Sequence, residues 1–300
     1  LEKNPKQRYE SIQAFAQALE QANRKMGVNL PRQNQPQSAK SAQPPQEEWV
    51  KEGNKYRDAR QFKEAIDAYD NAIKLDPNSA LAYHNRGHVY DDLKEYQRAI
   101  ADYNHAIALN PQSALAYNNR GLAYYHLTEY DKALEDFDRA ITLNPQSADA
   151  YNNRGLAYYI LQKYDKALEN YSQAIELYSK FAIAYNNRGK TYYIRQKYDK
   201  ALADYNQAIA LNPQYVDAYI NRGKTYVESK QYQKAMEDYG RAITLNPQNV
   251  DAYINRGNAY LELKEYSRAI ADYNLAITID PNNTSARNNR ENAYRLFYRR

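Results

Sequence analysis

The sequence predicts an all-α protein, built as a solenoid in which antiparallel helix hairpins stack side by side. Glycines recur every 34 residues, and each is followed by an alanine after 12 residues and an aromatic residue after 16. The seven glycines are Gly53, Gly87, Gly121, Gly155, Gly189, Gly223 and Gly257. Apolar residues within each period fall at helical spacing in two stretches. A fixed period of this length indicates one supersecondary unit, repeated.

The third copy shows why each unit is predicted to be a helical hairpin. Its first apolar stretch runs from Ala114 to about Leu127 and its second from about Tyr130 to Leu143. Gly121 gives room for the partner helix, and Phe137 fills the remaining space. A Leu-Asn-Pro sequence follows the second stretch and ends that helix, because proline lacks an N–H and disfavours a helical residue before it.

The copies are expected to follow one another without interruption. Their predicted bounds are 46–79, 80–113, 114–147, 148–181, 182–215, 216–249 and 250–283. Residues 284–300 supply one more first helix, in which Arg287 and Glu291 replace the aromatic residue and the glycine. These polar replacements suit a C-terminal capping helix that faces water.

The fourth copy departs from the pattern at its end. It reads Leu-Tyr-Ser-Lys at residues 177–180, where four of its siblings read Leu-Asn-Pro-Gln and the other two also have the proline. The favoured interpretation is that a tolerant loop has drifted in sequence. The alternative is that, without proline, the second helix runs on and bends the array between repeats 1–4 and 5–7.

Residues before the repeats break the 34-residue register. Residues 28–45 are rich in proline, glutamine and serine and are predicted to form a flexible linker. Residues 1–27 are expected to form a short loop that enters an amphipathic helix, for which Ser11 is a plausible N-cap.

Composition limits the function classes. The 41 basic and 36 acidic residues give a net charge of +5 without a basic cluster, which argues against nucleic-acid binding. Cysteine is absent, so thiolate nucleophiles and thiolate metal sites are excluded. We find no apolar run of membrane-spanning length and no signal-peptide pattern, so we expect a cytoplasmic location with no membrane partner.

The repeat resembles the tetratricopeptide repeat (TPR). Counted with the glycine as the eighth position, the family's fourth-position aromatic is matched by Trp49, Tyr83, Tyr117, Tyr151, Tyr185, Tyr219 and Tyr253. The resemblance covers residues 46–283 and implies a right-handed superhelix. It also implies a non-catalytic scaffold that binds a protein or peptide segment in its concave groove, without a cofactor or a metal.

An asparagine recurs two residues before six of the seven glycines, from Gly87 onwards, and also in the capping helix. In the TPR family this position lies on the concave face, where an amide can both donate to and accept from a peptide backbone. The row resembles the asparagine ladder of O-linked N-acetylglucosamine transferases; the alternative is simple solvation of the groove. We name it the amide ladder: Asn85, Asn119, Asn153, Asn187, Asn221, Asn255 and Asn289.

Other inferred groove positions vary between copies, as residues that set specificity would. We assign this role to His84, His88, Tyr125, Tyr159, Tyr193, Lys190 and Lys224. The i, i+4 spacing of His84 and His88 could bind zinc, with His126 approaching from the next repeat. No carboxylate geometry supports such a site, and ordinary groove polarity is the favoured interpretation.

Arginine precedes most of the repeat glycines, and an aspartate stands sixteen residues after it. The pairs are Arg86 with Asp102, Arg120 with Asp136, Arg188 with Asp204, Arg222 with Asp238 and Arg256 with Asp272. In the fourth copy Arg154 faces Asn170. We expect an ion pair that ties the two helices of each hairpin; alternatively, arginine lays its aliphatic stem over the apolar seam.

Residues 1–27 resemble the end of the catalytic domain in bacterial eukaryotic-like Ser/Thr protein kinases. There a Leu-x-Lys-Asn/Asp-Pro-x-x-Arg-Tyr segment precedes the last helix, as residues 1–9 do here. The resemblance implies that the repeats are the C-terminal module of such a kinase, which we expect to be cyanobacterial. ATP and magnesium would belong to that parent domain, because this chain carries no kinase catalytic motif. The alternative is a free-standing adaptor.

Overall fold

The computed structural model describes residues 45–298. The predictions for the kinase-like segment (residues 1–27) and for the linker (residues 28–45) therefore lie outside the described range, apart from residue 45. Every regular element within it is an α-helix, and there are fifteen. They are α1 (Gln46–Asp58), α2 (Phe62–Leu75), α3 (Ala80–Asp92), α4 (Tyr96–Leu109), α5 (Ala114–His126), α6 (Tyr130–Leu143), α7 (Ala148–Ile160), α8 (Tyr164–Leu177), α9 (Ala182–Ile194), α10 (Tyr198–Leu211), α11 (Val216–Glu228), α12 (Tyr232–Leu245), α13 (Val250–Glu262), α14 (Tyr266–Ile279) and α15 (Thr284–Tyr298).

Each repeat is a hairpin of a first helix with 13 residues and a second helix with 14. The turn between α5 and α6 places Thr128 in the left-handed region, with φ at 63°. The N–H groups of Thr128 and Glu129 bond back to the carbonyls of Tyr125 and Tyr124, which closes the end of α5. All seven turns share this conformation, at Arg60, Lys94, Thr128, Gln162, Gln196, Lys230 and Lys264.

The core of each hairpin depends on the repeat glycine. A Cβ atom built on Gly121 would lie 2.8 Å from Cε1 of Phe137, which is too close for a real contact. Ala133 and Phe137 are fully buried against this glycine helix. The prediction that glycine gives the partner helix room is therefore confirmed.

The second helix of the fourth repeat does not run on. It ends at Leu177, as α6 ends at Leu143 and α10 at Leu211. Tyr178 adopts φ −137° and ψ 89°, close to the −138° and 87° of Asn144 in the third repeat. The alternative of a longer helix is wrong, because Tyr178 takes the same extended conformation without a proline; its ring centre lies 5.8 Å from that of Phe181.

The hairpins stack so that neighbouring first helices touch. α3 contacts α1 and α5, and this pattern continues to α15; within residues 45–298 no second helix contacts another second helix. The array therefore curves with its first helices on the inner side. The all-α superhelical solenoid predicted from the sequence is confirmed. No helix that the structure describes combines the length and apolarity needed to cross a bilayer.

The last helix covers the open end of the array. Ala286 and Ala293 of α15 are fully buried, whereas Arg287 and Glu291 are exposed. The two polar replacements thus face water, as expected for a capping helix.

Candidate peptide-binding groove

Side-chain amides link the first helices along the inner side of the array. In the middle repeats, a ladder asparagine donates from Nδ2 to Oδ1 of the asparagine 35 residues earlier, at 3.0–3.1 Å. These bonds join Asn153 to Asn118, Asn187 to Asn152 and Asn221 to Asn186. The acceptors stand one residue before the ladder positions, and sequence reasoning missed them. The doubled asparagine in three repeats was the available signal.

Bonds inside repeats three and four connect these links into a longer chain. Asn118 donates to Asn119 at 3.2 Å, and Asn152 donates to Asn153 at 3.3 Å. Nδ2 of Asn119 faces Nε2 of His84 at 3.5 Å, the outer limit for a hydrogen bond. One series of amides therefore runs from repeat five to repeat three and ends facing His84 in repeat two.

At both ends of the array, the ladder asparagine donates to an asparagine at a different repeat position. Asn85 donates to Oδ1 of Asn54 at 3.0 Å, and that oxygen also accepts from the hydroxyl of Tyr69 at 2.7 Å. Asn289 donates in the same way to Asn258 at 2.9 Å. Here the acceptor lies 31 residues earlier rather than 35.

The amide ladder is thus partly engaged within the protein. Asn85 and Asn187 are buried, the other members are half-buried, and six of the seven bond or face a neighbouring repeat. At Asn255 the equivalent position in the preceding repeat is Ile220, which offers no amide. An amide has two N–H groups and two lone pairs, so one bond leaves capacity for a guest. Gripping of a peptide backbone stays a prediction.

Exposed apolar side chains flank the amides. Leu81, Leu115 and Ile183 stand near the starts of their first helices and are 49–59% exposed. Ile160 and Ile194 close the ends of α7 and α9 and are 42–45% exposed. Apolar contacts for a guest are therefore available on both sides of the amide series.

Tyr125, Tyr159 and Tyr193 are half-buried at equivalent positions of repeats three to five. The Lys190 ammonium lies 5.3 Å from the ring centre of Tyr159, a cation–π arrangement. The hydroxyl of Tyr193 donates to Glu228 at 3.3 Å; burial, then the Glu228 charge, raises its pKa to about 12. These rings stay neutral at physiological pH. Lys224 is half-buried on α11.

In repeat two, Asp91 stands at the position of these tyrosines, and His84 stands where the next three repeats have asparagine. Burial, followed by the charge of His88, lowers the pKa of His84 to about 4. Burial, followed by the charge of Asp92, raises the pKa of Asp91 to about 7. His126 does not join them, since its ring stacks on Tyr96 at 4.9 Å. Within residues 45–298, no three His, Asp or Glu side chains are grouped to hold a metal ion.

Arginine and aspartate form the expected ion pair in the five hairpins that contain both residues. Nε and Nη2 of Arg120 donate to the two carboxylate oxygens of Asp136 at 2.8 and 2.6 Å. The hydrogen bond to Asp136, outweighing burial, raises the pKa of Arg120. The other four predicted pairs have the same two-bond geometry. Arg154 donates to Asn170 at 2.7 Å, also as predicted.

A second arginine contact was not predicted. In five of the six repeats with this arginine, Nη1 reaches back sixteen residues to the second helix of the preceding repeat, so one guanidinium ties three helices. Its acceptors are Asp70, Asn104, Asp138, Ser172 and Asn206. Arg256 lacks this contact, because Gly240 stands at the equivalent position.

Comparison with known proteins identifies this class of repeat solenoid. A family model described as "Tetratricopeptide repeat" matches residues 80–113, 114–147, 148–181 and 250–283. A second, described as "TPR repeat", matches residues 53–94, 189–229 and 223–264. The chain belongs to the tetratricopeptide repeat family.

Solved structures show the same fold at low identity. The chain is similar to a TPR protein from Parabacteroides merdae, with TM-score 0.64 and 23% identity over 83% of this chain and 98% of that one. It is similar to a chain of the APC/C hetero-tetramer Cut9-Hcn1, with TM-score 0.69, 17% identity and 83% of this chain covered. The match spans 46% of that longer chain. PilF of Pseudomonas aeruginosa gives TM-score 0.61 and 20% identity, over 69% of this chain and 94% of that one. A search of curated protein sequences finds no match.

Proposed function

We propose that this protein is an interaction scaffold whose inner groove holds an extended segment of a partner protein. The observation that carries the proposal is the amide series along the first helices, flanked by exposed Leu81, Leu115 and Ile183. A guest backbone would bond to the remaining amide capacity, and its alternate side chains would contact the flanking apolar residues. The family membership supports protein binding as the general role.

A selection from a random twelve-residue peptide library tests this function with the full chain, residues 1–300. We expect selected peptides whose binding, measured by fluorescence anisotropy, weakens about tenfold when Leu115 is replaced by aspartate. Leu275→Asp is the matched control, because Leu275 is 46% exposed but lies on the second helix α14. Failure to select any peptide, or equal effects of the two substitutions, would contradict the groove as the binding surface.

The finer role that we propose is service as the C-terminal module of a Ser/Thr protein kinase, where the groove would recruit substrates. This role depends on the resemblance of residues 1–27, which lie outside the described range. Sequencing the gene upstream of the codon for Leu1 tests it. A glycine-rich loop, a strand lysine and catalytic-loop residues support the role, and their absence leaves the free-standing adaptor.

A further inference from the structure

Four polar atoms of repeat two are buried without hydrogen-bond partners in the described structure: His84 Nδ1, His88 Nδ1, Asp91 Oδ1 and the Tyr103 hydroxyl. The His84 residue is 9% exposed, and Tyr103 is fully buried. Buried polar groups are nearly always paired, so a cluster of unpaired ones marks a place where a ligand can supply the missing bonds.

His84, His88 and Asp91 share one face of α3, and Tyr103 lies on α4, which packs against α3; we call this cluster the pocket. The rings of His84 and Tyr103 lie 5.5 Å apart, centre to centre. Burial, followed by the charges of Asp91 and Asp92, raises the pKa of Tyr103. His88 and Asp92 form the mouth, with side chains 43% and 42% exposed and Nδ1 and Oδ2 3.6 Å apart.

Around the pocket, the carboxylates of Asp58, Asp91 and Asp92 outnumber the cations Arg57 and Arg60, which line the same surface cavity as His88 and Asp92. Burial and the Asp92 carboxylate both raise the pKa of Asp91, and no cation lowers it. Arg57 on α1, whose charge helps to lower the pKa of His84, donates two hydrogen bonds to Asp58 instead. Asp91 is therefore a half-buried carboxylate without a counter-ion, and the complementary group is positive.

We propose that this pocket receives a lysine or arginine side chain of the segment bound in the groove; the inference rests on the proposed function. The guest's N–H groups would donate to Asp91 Oδ1 and to the Tyr103 oxygen, while Asp92 supplies a second negative charge. Nε2 of His84 faces the Asn119 amide, so the neutral ring carries its proton on Nδ1 and can donate to a guest carbonyl.

The pocket would also fix the register of the guest. In the next three repeats the position of Asp91 is occupied by Tyr125, Tyr159 and Tyr193, which carry no charge at neutral pH. A carboxylate partner for a basic side chain is therefore offered at Asp91 and not at these three positions. Such a single charged contact specifies direction along an otherwise repetitive surface.

The test uses the peptide selection described above, with the full chain carrying Asp91→Asn beside the parent chain. Parent selections should be enriched in lysine or arginine at one position, and Asp91→Asn selections should lose that enrichment. Asp131→Asn is the matched control, because Asp131 is exposed on the second helix α6. It should keep the enrichment.

Individual peptides provide the quantitative arm. Replacing the enriched lysine by norleucine should weaken binding to the parent about tenfold and to Asp91→Asn less than about twofold. Parent affinity should also fall between pH 8 and pH 6, because Asp91 becomes protonated over this range. Asp92, His88 and Tyr103 lie beside it on repeat two, and Arg57, Asp58 and Arg60 face the site from repeat one.

The outcomes separate the two proposals. Selection of no peptide contradicts the proposed function and the pocket together. Selection of peptides without a basic preference, or with the same preference in Asp91→Asn, overturns the pocket alone. Far-ultraviolet circular dichroism and thermal unfolding of Asp91→Asn confirm that the near-isosteric variant is folded, so loss of preference is then a property of the site.

Discussion

At the scale of single residues, the charge on Asp91 that we propose for binding a guest also destabilises the folded protein. Its pKa rises from a reference value of 3.8 to about 7 in the folded protein, because burial and Asp92 disfavour the charged form. The folded state thus binds the proton more tightly than the unfolded state. The resulting destabilisation is absent below pH 4, grows as the pH rises from 4 to 7 and is complete above pH 7.

We therefore expect Asp91→Asn to be more stable than the parent at pH 8, by about 1–2 kcal/mol after allowance for solvent screening. The difference should shrink towards zero as the pH falls to 4. Urea unfolding at a series of pH values measures it, with Asp131→Asn as the exposed control. A difference that does not vary with pH would show that Asp91 is not an uncompensated charge.

Gly240 breaks the arginine contact that ties neighbouring repeats. It lies within α12, and a Cβ atom there would meet nothing closer than Nη1 of Arg256 at 3.9 Å. Gly240→Ala should stabilise the protein by about 0.5–1 kcal/mol through helix propensity alone. Gly240→Asp should add a hydrogen-bonded ion pair with Arg256, worth about 0.5–1 kcal/mol.

A double-mutant cycle with Arg256→Lys separates the two contributions to the free energy of unfolding. Coupling between positions 240 and 256 should be present in the aspartate variant and absent in the alanine variant. Purely additive effects of Gly240→Asp and Arg256→Lys would disprove the ion pair.

The contacts that the sequence could predict at this scale are those inside one repeating unit. Arginine and aspartate recur sixteen residues apart in five repeats, so Arg120 could be paired with Asp136 before any coordinates. The reach of Nη1 back to Asn104 could not be predicted in this way, because the equivalent position holds Asp, Asn, Ser or Gly in different repeats. The unpaired state of Asp91 depends on which neighbours turn towards it, and residue spacing does not contain that information.

At the scale of helices, residues of different chemistry can end the helix at the same repeat boundary. Proline is not required to end a second helix, since Tyr178 ends α8 with the backbone angles that Asn144 uses at the end of α6. The turn inside each hairpin is the converse case. It requires a residue with left-handed backbone angles in all seven repeats, yet none of these residues is glycine. The sequence therefore does not mark the position of the turn.

These turns offer a test at the scale of elements. Thr128 has φ of 63°, and a β-branched residue is especially disfavoured there. Thr128→Gly should stabilise the protein by about 1 kcal/mol, because glycine adopts this conformation without steric conflict. Thr128→Ala retains the left-handed penalty, so it should recover less than half of that gain. Equal stability of the glycine and alanine variants in urea unfolding would contradict strain at this turn.

At the scale of the whole molecule, the described array is a chain of nearest-neighbour interfaces. Each first helix contacts only its own repeat and the repeats beside it, so stability is a sum of repeat and interface contributions. α15 makes the last of these interfaces, burying Ala286 and Ala293 against α13 and α14.

A chain that ends at residue 283 lacks this cap and exposes the apolar side of α14, including Ile270 and Tyr273. We expect faster amide hydrogen exchange in α13 and α14, a smaller change in α12, and no change from α1 to α6, because coupling passes only between adjacent repeats. A chain that ends at Tyr298 is the control and should match the full chain at every helix. Uniform loss of protection from α1 onwards would show instead that the repeats unfold as one cooperative unit. Loss of the helix at either end would then lower the stability of the whole groove.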